Sequence, residues 1–283
     1  RPLFLHRMEG DLMISFCIFA NVGSANFYSD EIQGQVNITT SKRSPGSTLK
    51  PFIYALALEQ GLIHYSTMLK DTPQAFNEYA PDNYGSTFKG PVKAWYALAD
   101  SRNIPAVSLA QQISNPDLYD FLQQAKISDL KNKEHYGLSI VLGSAEVSML
   151  ELAKLYAMLA NNGIYKPINF FKETYATRDV IKEYYEKRLL TEESSYIVRK
   201  MLEANIPPVE SIPRELKNIP IGYKTGTSIG FKDSWTVGIF DKYDTKVVDR
   251  INERETMIDR LEDRIGSYLI KLNDCNLNED DSR

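Results

Sequence analysis

The sequence predicts an α+β/α/β chain: an antiparallel sheet assembled from both chain ends, with a helical cluster between them. Three observations predict it. Apolar, β-branched runs sit near the start (Leu12 to Val22) and late in the chain (Ile221 to Thr227 and Ser234 to Phe240). Helical periodicity dominates the stretch from Ser47 to Ala204. Gly, Pro and Asn punctuate the joints between these segments.

Taken in order, Gly10-Asp11 signals a turn, and Leu12 to Val22 reads as a buried strand closed by Gly23-Ser24-Ala25-Asn26. Residues 35–40 alternate and predict a short second strand. Pro45-Gly46 breaks the chain. Ser47 then opens a helix, with Phe52, Ile53, Leu56 and Ala57 at helical spacing until Gly61 stops it. Residues 71–91, rich in Pro, Asn, Gly and Tyr, form a long irregular connection of the kind that lies over a site. Val92 to about Lys126 is helical with a break at Asn103 to Pro105, and Met149 to Leu159 is a helix ended by Asn161-Asn162-Gly163. Thr191 to Ala204 is a further helix, followed by the two late strands joined through a Gly-containing turn. Past Tyr243, Ile251, Ile258, Leu261, Ile265 and Tyr268 mark one apolar stripe of an amphipathic helix, with a frayed end after it.

Composition excludes several function classes. Hydrophobic residues make up 43% and charged residues 25%, as in an ordinary globular protein. Residues 244–283 hold eleven acids and seven bases, and the rest of the chain is balanced, so the net charge of -4 sits in the tail. No basic surface for nucleic acid is implied. Cys17 and Cys275 give no disulfide framework, and His6, His64 and His135 lack metal-ligand spacing. No metal or other cofactor is expected. Leu12 to Val22 is far short of the roughly 20 residues that span a bilayer, and it lacks the flanks of a signal peptide.

Three short motifs carry chemistry. Ser47-Thr-Leu-Lys50 puts a hydroxyl and an amine three residues apart, on one face of a helix, where the amine can take the hydroxyl proton. A lysine serves as base only if burial or a neighbouring cation lowers its pKa, and a second lysine across the cleft would do that. A serine at a helix N-terminus also has free N–H groups nearby to stabilise an oxyanion. Alone this motif is weak: Ser128-Asp-Leu-Lys131 shares the spacing and reads as a helix cap. Ser101-Arg-Asn103 has its own decoy in Ser24-Ala-Asn26. Lys224-Thr225-Gly226-Thr227 can bind a carboxylate at a strand edge, and its glycine admits a close backbone; the plainer alternative is a lysine that guards the edge. Gly226-Thr-Ser-Ile-Gly230 fits a nucleophile elbow, but all three histidines precede Ser228, so that reading fails.

The order Ser-x-x-Lys, Ser-x-Asn, Lys-Thr-Gly, at intervals of 54 and 123 residues, is the set shared by serine β-lactamases and penicillin-binding proteins. The stretches 20–27, 43–52, 142–148, 160–163 and 222–235 resemble class A high-molecular-weight penicillin-binding proteins, over about residues 12–243. The resemblance implies the penicillin-recognising serine transpeptidase (β-lactamase-like) fold. It further implies a peptidoglycan cross-linking D,D-transpeptidase in which Ser47 attacks a D-Ala–D-Ala stem peptide. Lys50 would take the serine proton and Ser101 relay one to the leaving amine. Asn103 would hold the substrate amide, with Lys224, Thr225, Gly226 and Thr227 at its carboxylate. The N–H groups of Ser47 and Thr227 would form the oxyanion hole, and β-lactams would acylate the same serine. The expected location is the periplasmic face of the bacterial inner membrane, and the expected partners are stem peptides, β-lactams and a separate glycosyltransferase.

Residues 1–243 are expected to form the transpeptidase domain, with the class's anchor and glycosyltransferase domain absent. Residues 244–283 depart from the family and read either as a helix packing on the domain or a partner, or as the out-of-context end of a truncated gene. Two alternatives stay open. The same serine serves D,D-carboxypeptidases and β-lactamases, and a non-catalytic penicillin-binding remnant or sensor would keep the fold without turnover.

Overall fold

The computed structural model describes residues 3–8, 15–76, 79–166, 168–169, 186–205, 221–228 and 230–240, all within the unit Arg1–Asp241. The helix expected beyond Tyr243 lies outside the described residues, as do Gly10-Asp11 and the start of the first apolar run.

Helix α1 (Lys50–Glu59) is the centre of the molecule. Every residue from Lys50 to Ala57 is buried, so α1 has no polar face and is surrounded by other elements. It packs against α2 (Ala94–Ala99), α3 (Asn103–Gln112), α4 (Leu118–Gln124) and α7 (Glu192–Glu203). Phe52 stacks on Phe121 at 5.4 Å and meets Tyr156 edge-on at 5.6 Å, which ties α1 to α4 and to α6 (Met149–Ala160). Truncating a fully buried ring such as Phe52 to Ala costs about 3–5 kcal/mol. The short α5 (Lys133–Tyr136) completes the helical set among the described residues.

The caps explain the helix limits. Pro51 stands in the first turn of α1, where its missing N–H costs nothing, and Gly61 ends the helix at φ +66°. Asp117 with Asp120 and Ser148 with Glu151 form capping boxes on α4 and α6, and Thr191 caps α7. The expected break at Asn103 to Pro105 lies slightly earlier, at residues 100–102. Asn103 already begins α3, and Pro105 sits in that helix's first turn, where proline is tolerated.

Strands come from both chain ends, as expected. Early in the chain β1 (Leu3–Met8) pairs antiparallel with β2 (Ser15–Asn21), and β2 pairs in parallel with β6 (Ile168–Asn169). Late in the chain β8 (Ile221–Thr227) pairs antiparallel with β9 (Ser234–Phe240), Lys224 opposite Val237 and Thr227 opposite Ser234. Among the described residues these form two separately hydrogen-bonded sheets, β1-β2-β6 and β8-β9, rather than the single antiparallel sheet expected. Two hairpin-like pairs are small: β3 (Met68–Asp71) with β4 (Gly90–Lys93), and β5 (Ile164–Tyr165) with β7 (Lys187–Arg188). The long connection 72–89 is thus pinned at its base by β3 and β4.

One predicted strand does not form. Residues 35–40 are a series of turns. Asn37 accepts hydrogen bonds at Oδ1 from the Thr39 N–H (3.1 Å) and hydroxyl (2.7 Å), and its carbonyl accepts from the Thr40 hydroxyl. A short polar side chain that bonds its own backbone outcompetes a ladder, which alternation alone cannot reveal. No helix among the described residues is long and apolar enough to cross a membrane.

Candidate active site

Three pieces of chain converge above α1. The first is the 3₁₀ turn Gly46–Leu49 that carries Ser47 and runs straight into α1, the Lys50 N–H donating to the Ser47 carbonyl. Ser47 therefore sits one tight turn ahead of the α-helix. The turn is wedged between two backbones. Gly46 has φ +53°, and a Cβ there would fall 2.5 Å from the Thr227 carbonyl oxygen and 2.7 Å from its nitrogen. On the other side, a Cβ on Gly143 would meet the Gly46 nitrogen at 2.4 Å, and one on Gly226 would meet the Pro45 carbonyl at 2.3 Å. Only glycine permits this approach. Trp235 Nε1 donates to the Ser44 carbonyl (2.9 Å) and Ser44 Oγ to the Gly143 carbonyl (2.8 Å), locking β9, the turn and the 137–142 segment together.

The second piece is the link between α2 and α3. The Arg102 N–H donates to the Ala97 carbonyl and the Ser101 N–H to the Leu98 carbonyl, which is the helix-ending pattern that places a left-handed residue just past the cap. Glycine usually fills that position; here it is Ser101, at φ +56°. A non-glycine residue held there carries strain of about 1–2 kcal/mol.

The third piece is β8, whose Lys224 is fully buried while Thr225 and Thr227 are exposed. The reading of Lys224 as a solvent-facing edge guard is thereby excluded. Its Nζ donates to Ser101 Oγ at 2.7 Å and to the Thr225 carbonyl at 2.8 Å.

Lys50, also fully buried, reaches the same hydroxyl from below. Its Nζ lies 3.4 Å from Ser101 Oγ, 2.7 Å from the Ser101 carbonyl, 3.3 Å from the Arg102 carbonyl and 2.6 Å from Asn103 Oδ1. Burial, then the charges of Lys224 and Arg102, push the Lys50 pKa well below that of an ordinary lysine, with Asp71 working the other way. Burial brings Lys224 down to about 8, opposed by Asp100.

Ser47, Lys50, Ser101, Asn103 and the Lys224–Thr227 strand are thus brought to one place, with a difference from the sequence expectation. Among the described residues the Ser47 hydroxyl makes no hydrogen bond, and the Lys50 amine is turned toward Ser101 and Asn103. Asn103 is engaged at both ends, its Oδ1 by Lys50 and its Nδ2 by the Asp82 carbonyl. That leaves one N–H and one lone pair for another molecule.

The decoys separate cleanly. Ser128 is not a helix cap: it lies in a loop, and its N–H and hydroxyl both donate to Glu151 Oε1 at 2.8 Å. Asn26 Oδ1 closes a local turn on the Tyr28 N–H. Ser228 is buried and pairs with Asp233 to close the β8–β9 connection, so it is no exposed elbow. Sequence reasoning missed a buried layer beneath the site: Asp71, Asn83 and Arg102. No short motif joins these three, which stand 12 and 19 residues apart.

The penicillin binding protein transpeptidase domain family matches residues 18–254 of this chain. The chain belongs to that family. Within it, the wording of the motifs points to the 1C type. Penicillin-binding protein 1C of Escherichia coli (strain K12) is 32% identical over 210 residues, which is 73% of this chain and 26% of the relative. Penicillin-binding protein 1A from Haemophilus influenzae has a similar fold, with a TM-score of 0.59 at 24% identity over 74% of this chain and 38% of that one. The PonA1 protein from Mycobacterium tuberculosis, solved in complex with penicillin V, gives a TM-score of 0.58 at 20% identity over 73% of this chain and 60% of that one. The chain spans about a quarter of the length of the curated relative. The penicillin-recognising transpeptidase fold expected from the motifs is the fold observed.

Proposed function

We propose that this chain is a D,D-transpeptidase domain of peptidoglycan synthesis, with Ser47 as nucleophile. One observation carries the reading: two buried lysines, Lys50 and Lys224, converge on the hydroxyl of Ser101 beside a turn that holds Ser47 with no partner of its own among the described residues. A neutral amine has two N–H groups and one lone pair. The two shortest contacts of Lys50, to the Ser101 carbonyl and Asn103 Oδ1, use both N–H groups and leave the lone pair to receive a proton.

The reaction then runs as follows. Ser47 Oγ attacks the carbonyl carbon of the penultimate D-Ala, and its proton passes to Lys50. The carbonyl oxygen becomes an oxyanion facing the N–H groups of Ser47 and Thr227. The C–N bond breaks, the departing D-Ala amine receives a proton from Lys50 through Ser101, and an acyl-ester on Ser47 remains. An amine of a second stem peptide attacks that ester, gives up a proton along the same path, and Ser47 Oγ leaves with it. Lys224, Thr225 and Thr227 orient the substrate carboxylate, Gly226 lets the Ser47 turn pack against the strand rather than admitting the peptide, and Asn103 offers its remaining N–H to the substrate amide. A β-lactam would stop at the acyl-ester; that PonA1 was solved in complex with penicillin V supports β-lactam binding by this fold.

In this reading residues 1–243 form the transpeptidase domain and 244–283 a separate tail. The domain acts at the periplasmic face of the inner membrane, with a glycosyltransferase supplying the glycan. Incubation with a fluorescent penicillin tests it: wild type forms a covalent adduct and Ser47→Ala does not. An unlabelled wild type ends the catalytic reading, and labelling that persists in the variant ends the assignment of Ser47. Rapid loss of the label would mark a hydrolase.

A further inference from the structure

Beneath the Ser101–Asn103 link lies a buried ionic layer whose residues, apart from the variable Arg102 of the second motif, stand outside the three motifs. Asp71, the last residue of β3, is fully buried. Its Oδ2 accepts from Arg102 Nε at 2.8 Å and from the Lys89 N–H at 3.0 Å, and its Oδ1 accepts from Asn83 Nδ2 at 2.7 Å. Arg102 is itself buried, and its guanidinium also donates to the Thr87 carbonyl. Asn83 passes the connection on, its Oδ1 accepting from the Asn103 N–H at 2.8 Å. One carboxylate therefore holds both the side chain of Arg102 and, through Asn83, the first N–H of α3. Those two residues themselves carry acceptors of the Lys50 amine, the Arg102 carbonyl and Asn103 Oδ1.

We propose that Asp71 is a positioning residue for acyl transfer, fixing the strained 101–103 link so that Ser101 and Asn103 meet the Lys50 amine. This rests on the function proposed above and deepens it. The strain at Ser101 needs such an anchor, because a left-handed serine persists only where its surroundings over-determine it. The anchor also bears on the base electrostatically. Arg102 pairs with Asp71 directly and Lys50 lies within its field, while Lys224 acts in turn on Lys50. Asp100 pairs with the outer side of Arg102 at 3.5 Å, the Tyr54 hydroxyl is buried on α1 within the field of Asp71, and Lys89 faces it through its backbone. Of the charges acting on Lys50, Asp71 is the one that favours its charged form. Removing its charge while leaving Arg102 in place must make Lys50 harder to protonate.

The test is Asp71→Asn, which keeps the size but removes the charge and one acceptor. In protein carrying 13Cε-labelled lysine, with the Lys50 signal assigned through Lys50→Arg, the Lys50 titration midpoint should fall relative to wild type. Acylation by fluorescent penicillin should slow at least tenfold at its pH plateau, and its acid limb should move to lower pH. A purely structural loss would reduce the labelled fraction without moving the limb. An unchanged midpoint together with a plateau rate within twofold of wild type overturns the proposal. Should Asp71→Asn not fold, the double variant Asp71→Asn/Arg102→Gln removes both buried charges. It should fold and still acylate at least tenfold slowly, and a wild-type rate in it overturns the proposal. A wild type that takes no penicillin defeats the proposed function, whereas the Lys50 titration still decides the part played by Asp71.

Discussion

Replacing Gly46 by Ala tests whether the glycine contact between the Ser47 turn and β8 sets the geometry of the site. Two costs are separable. Placing Ala at φ +53° costs about 1–2 kcal/mol of backbone strain. The new Cβ would also lie 2.5 Å from the Thr227 carbonyl oxygen, and ordinary contact begins at 3.4 Å. Turn and strand must part by about 1 Å, and overpacking of this kind costs roughly 1–3 kcal/mol. The sum is about 2–5 kcal/mol, or a fall in Tm on the order of 5–15 °C. A displacement of about 1 Å at a reacting group costs on the order of a hundredfold in rate. Gly61 supplies the control. It has φ +66° and nothing within 4 Å of its would-be Cβ, so Gly61→Ala bears the backbone cost of about 1–2 kcal/mol alone. Thermal denaturation and the rate of fluorescent-penicillin acylation should separate the two: Gly61→Ala labels at the wild-type rate, Gly46→Ala about a hundredfold slower. Equal labelling rates in both variants would refute the view that this contact positions Ser47 against Thr227.

Ser101 and Glu151 offer two further tests. Ser101→Gly and Ser101→Ala both remove the shared hydroxyl and should both lose acylation, but the glycine variant relieves the left-handed strain and should be the more stable by about 1 kcal/mol in urea denaturation; equal stability would mean that φ +56° is unstrained. At Glu151, burial acts to raise the pKa, but the bond from Lys42 and those from Ser128 and Ser148 outweigh it and hold the group at about 2. A depressed carboxylate stabilises the fold above its unfolded value and loses that contribution as pH falls through the folded value. Wild type should therefore exceed Glu151→Gln by about 2 kcal/mol at pH 7 after solvent screening, with less than half of the gap left near pH 3; a gap independent of pH would count against it.

The helices were legible because their signals are local. The box Ser148–Glu151, the Thr191 cap and Gly61 mark ends that the structure reproduces within a residue or two. Strands β8 and β9 were legible in full, since β-branched and aromatic residues with a glycine turn leave little ambiguity. The turns at 35–40 were not, because Asn37 decides them through side-chain bonds that periodicity ignores. At the site, the motif residues could be picked out by their order and flanking sequence, and their convergence was what the family resemblance implied. The direction of the Lys50 amine could not. Helical spacing brings it near Ser47, but the carbonyl of Ser101 and the amide of Asn103, more than fifty residues on, take it instead. Asp71, Asn83 and Arg102 escaped notice for the same reason: burial gives them their meaning, and burial is a property of the assembled fold.

The charges of the site determine which lysine gives up its proton. With every group in its usual state, the buried Lys50, Lys224 and Arg102 stand against the buried Asp71 and the exposed Asp100, an excess of one positive charge. Burial disfavours the charge on both lysines; Asp100 opposes this at Lys224, whereas at Lys50 the charges of Lys224 and Arg102 add to it and Asp71 works against it. A lowered lysine pKa is what the proposed general base requires. In the proposed reaction a substrate carboxylate would then settle near Lys224 and offset part of its charge. Less positive potential at Lys50 makes its amine more basic. Substrate binding would thereby strengthen the base at the moment when the Ser47 proton has to move.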